Sequence, residues 1–306
     1  MQSTVRIRKV ALFLGLAFGI SWLSALSLYL MGVEYGSPMS LIGIAVFFMW
    51  APAAAAVAVQ LAYREPIRRG CLLRIGRIRV LLVAWLLPTV VFALTLGIAL
   101  LLPRVRWTRD YARFLEEMGL DSETIAQSIA QLEAIPVPTP LFFIFQALVA
   151  GLTINALFAF GEELGWRGFL LRELAPLGFW KLSVLTGGIW GVWHAPVILQ
   201  GHNFPESPYL GIIVMTVQCM AMSPVYTYLT VRASSVLAAA FFHGSFNALA
   251  SLVLVYLTGA GNIVVSPVGI AGIVTALILT AACVFHDRFV ASTRIIGGGP
   301  LPVQYD

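Results

Sequence analysis

Apolar residues fall into eight long blocks, near residues 10–31, 39–62, 80–102, 141–162, 181–200, 209–231, 233–256 and 268–285, separated by shorter polar segments. A helix needs about 20 residues to cross ~30 Å of hydrocarbon. The pattern therefore predicts an all-α integral membrane protein with about eight transmembrane helices. The first block is longer than the roughly 7–15 apolar residues of a signal-peptide core, so it reads as an uncleaved anchor.

Composition agrees. Of 306 residues, 59% are hydrophobic and 11% charged, with mean hydropathy +0.90; a soluble domain carries about 25% charged residues. The net charge of +5 does not point to nucleic acid, because the basic residues sit between apolar blocks and follow a topological rule. Fifteen of the 19 Lys and Arg fall on one side of an eight-span arrangement: Arg6, Arg8, Lys9, six arginines from Arg64 to Arg79, Arg167, Arg172, Lys181, Arg232, Arg288 and Arg294. Arg104, Arg106, Arg109 and Arg113 make up the other side. The positive-inside rule then puts both termini in the cytoplasm, and the short polar loops fit a bacterial inner membrane. Cys71, Cys219 and Cys283 show no paired spacing, which argues against a disulfide framework or a structural zinc site.

The longest outer segment, 103–140, holds six acids, and Asp121 is placed to cap a helix with Ile125, Ile129 and Leu132 on one stripe. Such a helix suits the bilayer surface, a lid or a substrate-docking role. The chain divides into residues 1–140 (three membrane helices, a basic inner loop and this outer segment), 141–256 (a catalytic core) and 257–306 (the last membrane helix and a cytoplasmic tail).

Polar residues interrupt the apolar blocks at three places. They are Glu162, Glu163 and Arg167 in Phe-Gly-Glu-Glu-Leu-Gly-Trp-Arg, His194 in Trp-Gly-Val-Trp-His-Ala-Pro, and His243 with Asn247 in Phe-Phe-His-Gly-Ser-Phe-Asn. An ionised side chain at the bilayer centre costs about 2.5–3.5 kcal/mol or more. If the fourth helix continues unbroken to about Glu173, helix rise puts Glu162, His194 and His243 all about 16–20 Å from the inner face. One polar site between helices 4, 5 and 7 follows. Glu163 and Arg167 are one turn apart, as are His243 and Asn247, and Trp190 precedes His194 by one turn. Gly161/Gly165 and Gly187/Gly191 are small-xxx-small pairs that allow close helix approach.

Each residue also has a plain structural reading: His as a helix–helix contact, Glu163–Arg167 as an internal ion pair, Asn247 as a backbone partner. Glu162 resists this, because one guanidinium does not neutralise two carboxylates. No His-Glu-x-x-His motif occurs. Asp110, Asp121, Asp287 and Asp306 fall outside the blocks, which leaves no aspartate pair. Ser245 is two residues from His243 and faces elsewhere on a helix. His202, in an outer loop, and His286, at the inner end of the last block, read as surface or interfacial residues.

These three motifs resemble the signatures of the CPBP family, the CAAX-protease and bacteriocin-processing membrane proteins also called the ABI family. Order and spacing match over about residues 141–256, with Trp190 where phenylalanine is common. The resemblance implies an intramembrane endopeptidase of a family commonly called metalloprotease, acting on a membrane-associated protein or peptide in the lipid bilayer. Glu162 would activate water with help from His194, His243 and Asn247 would bind the oxyanion, and Glu163 and Arg167 would hold the carboxylate pair. Zinc on His194, His243 and Glu162 and metal-free water activation are equally compatible with it. A non-catalytic scaffold or chaperone would keep the pocket without needing Glu162. A proton-coupled transporter would also place Glu and His at mid-membrane, but with symmetric repeats that this chain lacks.

Overall fold

The computed structural model describes residues 4–303, so Asp306 lies outside the described residues. Seven helical stretches are long and apolar enough to span a membrane. They are α1 (Ile7–Leu30), α2 (Pro38–Ala62), α3 (Ile78–Leu100), α8 (Phe179–Leu199), α9 (Pro208–Ala233), α10 (Leu237–Tyr256) and α11 (Asn262–Phe289, interrupted at 266–269). Between α3 and α8 lie two outer helices, α4 (Tyr111–Glu117) and α5 (Ser122–Glu133), followed by α6 (Thr139–Leu152) and α7 (Ile154–Leu177). The last two are bent by 47° at Thr153 and, counted together as one span, bring the number to eight. The protein is an all-α integral membrane protein. Its one sheet among the described residues is a two-residue antiparallel pair, β1 (Arg106–Trp107) with β2 (Leu257–Thr258).

Long-range contacts identify the two ends of the bundle. At one end Arg6 and Lys9 meet Glu65 and Glu173, Arg77 donates to the Arg232 carbonyl at 3.2 Å, and Leu301 N–H donates to the Ala175 carbonyl at 2.9 Å. Most of the arginines gather here, and it is called the basic end below. At the other end Tyr35 bonds His202, Asn262 donates to the Asn203 carbonyl at 3.0 Å, and β1 pairs with β2.

The unbroken fourth helix expected from the sequence is not formed. Thr153, at φ −109° and ψ −99°, lies outside the helical region and breaks it. The break sits where α10 comes closest. A Cβ on Gly151 would lie 2.5 Å from Ser245 Cα, and one on Gly244 would lie 2.4 Å from the Gly151 carbonyl oxygen. This crossing sets α10 against the start of α7. The two glycine pairs read from the sequence do bring helices close, but elsewhere. Gly161 and Gly165 receive α2 at Met49–Pro52, and Gly187 and Gly191 receive α9 at Thr216–Met220.

Asp287 also departs from expectation. It lies within the last turn of α11, buried, and accepts from Arg232 at 2.5 Å and from the Ile295 and Ile296 amides. It anchors the C-terminal segment. In 103–140, Asp121 caps α5 as expected, accepting from the Glu123 and Thr124 amides. Ile125 is buried, and α4 is tied to α10 by Arg113, which donates to the Leu254 and Leu257 carbonyls at 3.3 Å. The segment is therefore held by the protein.

Candidate active site

Helix α7 supplies the carboxylates. Directly after Glu163 its backbone bonds widen to a π-helical register over Leu164–Leu170, a local irregularity common at functional sites. Glu163 is fully buried and accepts from Arg167 Nη1 through both oxygens at 3.2 Å. Its Oε1 also accepts from His243 Nδ1 at 2.8 Å, across from α10. Arg167 is clasped between two aromatic rings, with its guanidinium carbon 4.3 Å from the Trp190 centroid and 4.3 Å from that of Tyr226. Such stacking suits the planar, weakly hydrated guanidinium. Tyr226, on α9, was not anticipated from the sequence; an aromatic in an apolar block carries no distinguishing spacing.

Glu162 has different company. Its Oε2 accepts from the Trp190 indole at 2.8 Å, and neither Arg167 nor His243 bonds it. Trp190 thus does more than pack edge-on to His194, whose ring centroid is 5.5 Å away. His194 sits where α8 kinks, and its Nδ1 lies 2.8 Å from the Trp190 carbonyl. A carbonyl only accepts, so Nδ1 carries the hydrogen and Nε2 keeps its lone pair. On the same reasoning His243 donates from Nδ1 to Glu163, leaving its Nε2 as the other ring nitrogen facing the site.

Glu162, His194, His243 and Asn247 line one cavity of about 490 Å³. Glu163 and Arg167 stand behind its wall. Glu162 is the only carboxylate among the lining residues, and Asn247, one turn beyond His243, is exposed to the cavity. Ser245 packs against Gly151 and does not line it.

His202 contradicts the sequence reading. It lines the same cavity, with its ring parallel to that of His194 at 6.4 Å between centroids, and it bonds Tyr35. The loop turns back at Gly201 (φ +109°) and is pinned by buried Phe204, which occupies the space a side chain on Gly211 would need. Burial pushes the His202 ring down to about 4, so it is neutral at pH 7. His286, by contrast, is exposed and bonds Tyr228 at 2.7 Å.

Among the described residues no three His, Cys, Asp or Glu side chains group closely enough to hold a metal ion. His194, His243 and Glu162 are the residues that would hold zinc, and the chemistry below is derived for the side chains alone.

A model of the Rce1-like family, described as type II CAAX prenyl endopeptidase Rce1-like, matches residues 136–249. This segment contains all six motif residues, and the match is to the family that the three motifs resemble. The match implies a membrane-embedded protease. No curated protein matches the chain.

Proposed function

We propose that the protein is an intramembrane endopeptidase in which Glu162 is the general base. The observation that carries this is the unequal setting of two adjacent carboxylates. Glu163 is consumed by Arg167 and His243, whereas Glu162 holds only an indole N–H and faces the cavity. A water in the cavity gives its proton to Glu162 and attacks the scissile carbonyl carbon, while the Nε2 lone pair of His194 holds its other hydrogen. The oxyanion that forms accepts from Asn247 Nδ2 and from a proton on His243 Nε2. When the C–N bond breaks, the proton on Glu162 passes to the departing amine.

Charge count supports the role of His243. Glu162, Glu163 and Arg167 sum to one negative charge, and a doubly protonated His243 balances them. Arg167 and Glu163 are positioning residues: the guanidinium fixes Glu163, and Glu163 fixes the His243 ring.

Cleavage of a membrane-peptide library by purified wild type and by Glu162→Gln, each with and without a chelator, tests the reading. The expected result is cleavage that survives the chelator and disappears in the variant. Cleavage lost to the chelator and restored by added metal would overturn the metal-free mechanism. A Glu162→Gln protein that still cuts would overturn the base assignment.

A further inference from the structure

The segment that joins α2 to α3, residues 63–77, carries five arginines, and Arg79 follows in the first turn of α3. Two of the six are used inside the protein. Arg74 donates from Nε to the Ser234 carbonyl at 2.6 Å, and Arg77 donates to the Arg232 carbonyl at 3.2 Å. Arg64, Arg68, Arg69 and Arg79 are exposed and have no side-chain partner among the described residues. Glu65 is the one acid of the segment, and Arg6 and Lys9 hold it. Four cations therefore stand unneutralised.

The positive-inside rule asks only for charge at this end, and a loose loop would satisfy it. This one is folded. Cys71 and Leu72 are buried, the Leu72 carbonyl accepts from the Val236 amide at 3.1 Å, and the Arg77 amide donates to the Ala233 carbonyl at 2.9 Å. Gly168, in the widened stretch of α7 that also holds Arg167, leaves room for the Cys71 carbonyl oxygen, which lies 2.7 Å from where a Cβ would stand. The four arginines are thus displayed from a fixed backbone that packs against α7 and the turn between α9 and α10.

Depth is a second, independent observation. Helix α2 ends at Ala62 and α3 begins at Ile78, so the segment lies where hydrocarbon gives way to lipid headgroups. Ile75 and Ile78 are 68% and 64% exposed beside the arginines, and Leu61 and Tyr63 are exposed as well. Apolar side chains flanking cations match the boundary between acyl chains and phosphates. A guanidinium suits that boundary further, since its planar fork pairs with two oxygens of one phosphate.

We propose that residues 63–79 form a binding site for anionic phospholipid, in which Arg64, Arg68, Arg69 and Arg79 take headgroup phosphates and Ile75 and Ile78 enter the acyl layer. A basic residue near an anionic surface raises binding about fivefold, so four together separate anionic from zwitterionic lipid. Lipid held by the folded segment stabilises its packing on α7 and on the α9–α10 turn. None of this draws on the endopeptidase reading.

The test is the Tm of the full chain, read from tryptophan fluorescence, in vesicles of phosphatidylcholine and in vesicles with part of that lipid replaced by phosphatidylglycerol of the same acyl chains. The wild type is expected to melt several degrees higher in the anionic vesicles, with a gain that shrinks as salt is raised. A variant carrying Arg64→Gln, Arg68→Gln, Arg69→Gln and Arg79→Gln is expected to lose most of the gain. One carrying Arg104→Gln, Arg106→Gln and Arg109→Gln, at the other end, is expected to keep it. Should the quadruple variant not fold, each of its single changes is expected to remove part of the gain. Equal Tm of the wild type in the two vesicles, or a gain retained by the quadruple variant or by all four single ones, overturns the site. Phosphatidylcholine vesicles formed in inorganic phosphate are expected to give no gain; a gain equal to that from phosphatidylglycerol would assign the arginines to free phosphate and overturn the lipid.

Discussion

Two clusters of buried charge occupy this molecule, and they are built on opposite principles. At the basic end Arg6 and Lys9 face Glu65 and Glu173, and each carboxylate touches both cations. The four charges balance, and none of the four residues lines the cavity that Glu162 faces. At mid-bundle Glu162 and Glu163 share one arginine, Glu163 takes it, and Glu162 is left at a cavity wall. A closed cluster ties α1 to the loop after α2 and to the end of α7. An open one leaves a carboxylate free to exchange a proton. What separates a structural ion pair from a reactive group here is the company of the second carboxylate, since Glu173 and Lys9 are as buried as Glu162 and Glu163, while Arg6 and Glu65 are partly exposed.

The contrast predicts different failures. Glu162→Gln keeps size and hydrogen bonding and should lower the cleavage rate by about 10²–10⁴-fold, with an unchanged melting curve. Glu173→Ala leaves buried Lys9 with only Glu65 and Gln60 as partners and should cost about 1–3 kcal/mol of stability, read as a fall in Tm, while the rate per folded molecule holds. Asn247→Ala removes one oxyanion donor and should lower kcat by about 10²–10³-fold with little change in KM.

The smallest effect is in pH. Bonding to Arg6, and then to Lys9, holds the Glu65 carboxyl down at about 2. The stability it contributes is fully present above the ordinary carboxylate range and is lost as pH falls from about 4.5 toward 2. Glu65→Gln should flatten the dependence of Tm on pH in that window. A variant with the wild-type slope there would show that the closed cluster does not tie the helices together.

How much of this could be read from the chain depends on the range of the interaction. Hydropathy located the spans because crossing length is a local property, and Asp121 announced its helix because capping reaches only three residues. The three motifs stood out because ionisable groups are costly in apolar blocks. The break at Thr153 had no proline to announce it; it forms where Gly151 meets Gly244, almost a hundred residues on. Glu65 meets Arg6 and Lys9 across 59 and 56 residues and Glu173 meets them across 167 and 164, and those cations looked purely topogenic. His202 was misplaced for the same reason. A loop position shows its exposure only once Phe204 is seen to pull it inward.

The most direct test of the difference between the adjacent carboxylates compares Glu162→Gln with Glu163→Gln, measuring cleavage rate and Tm on the same preparations. The account predicts that Glu162→Gln loses the rate at unchanged Tm, whereas Glu163→Gln, which strands Arg167 and His243, lowers both. Equal behaviour of the two variants, or a Glu162→Gln protein that cuts at the wild-type rate, would contradict it.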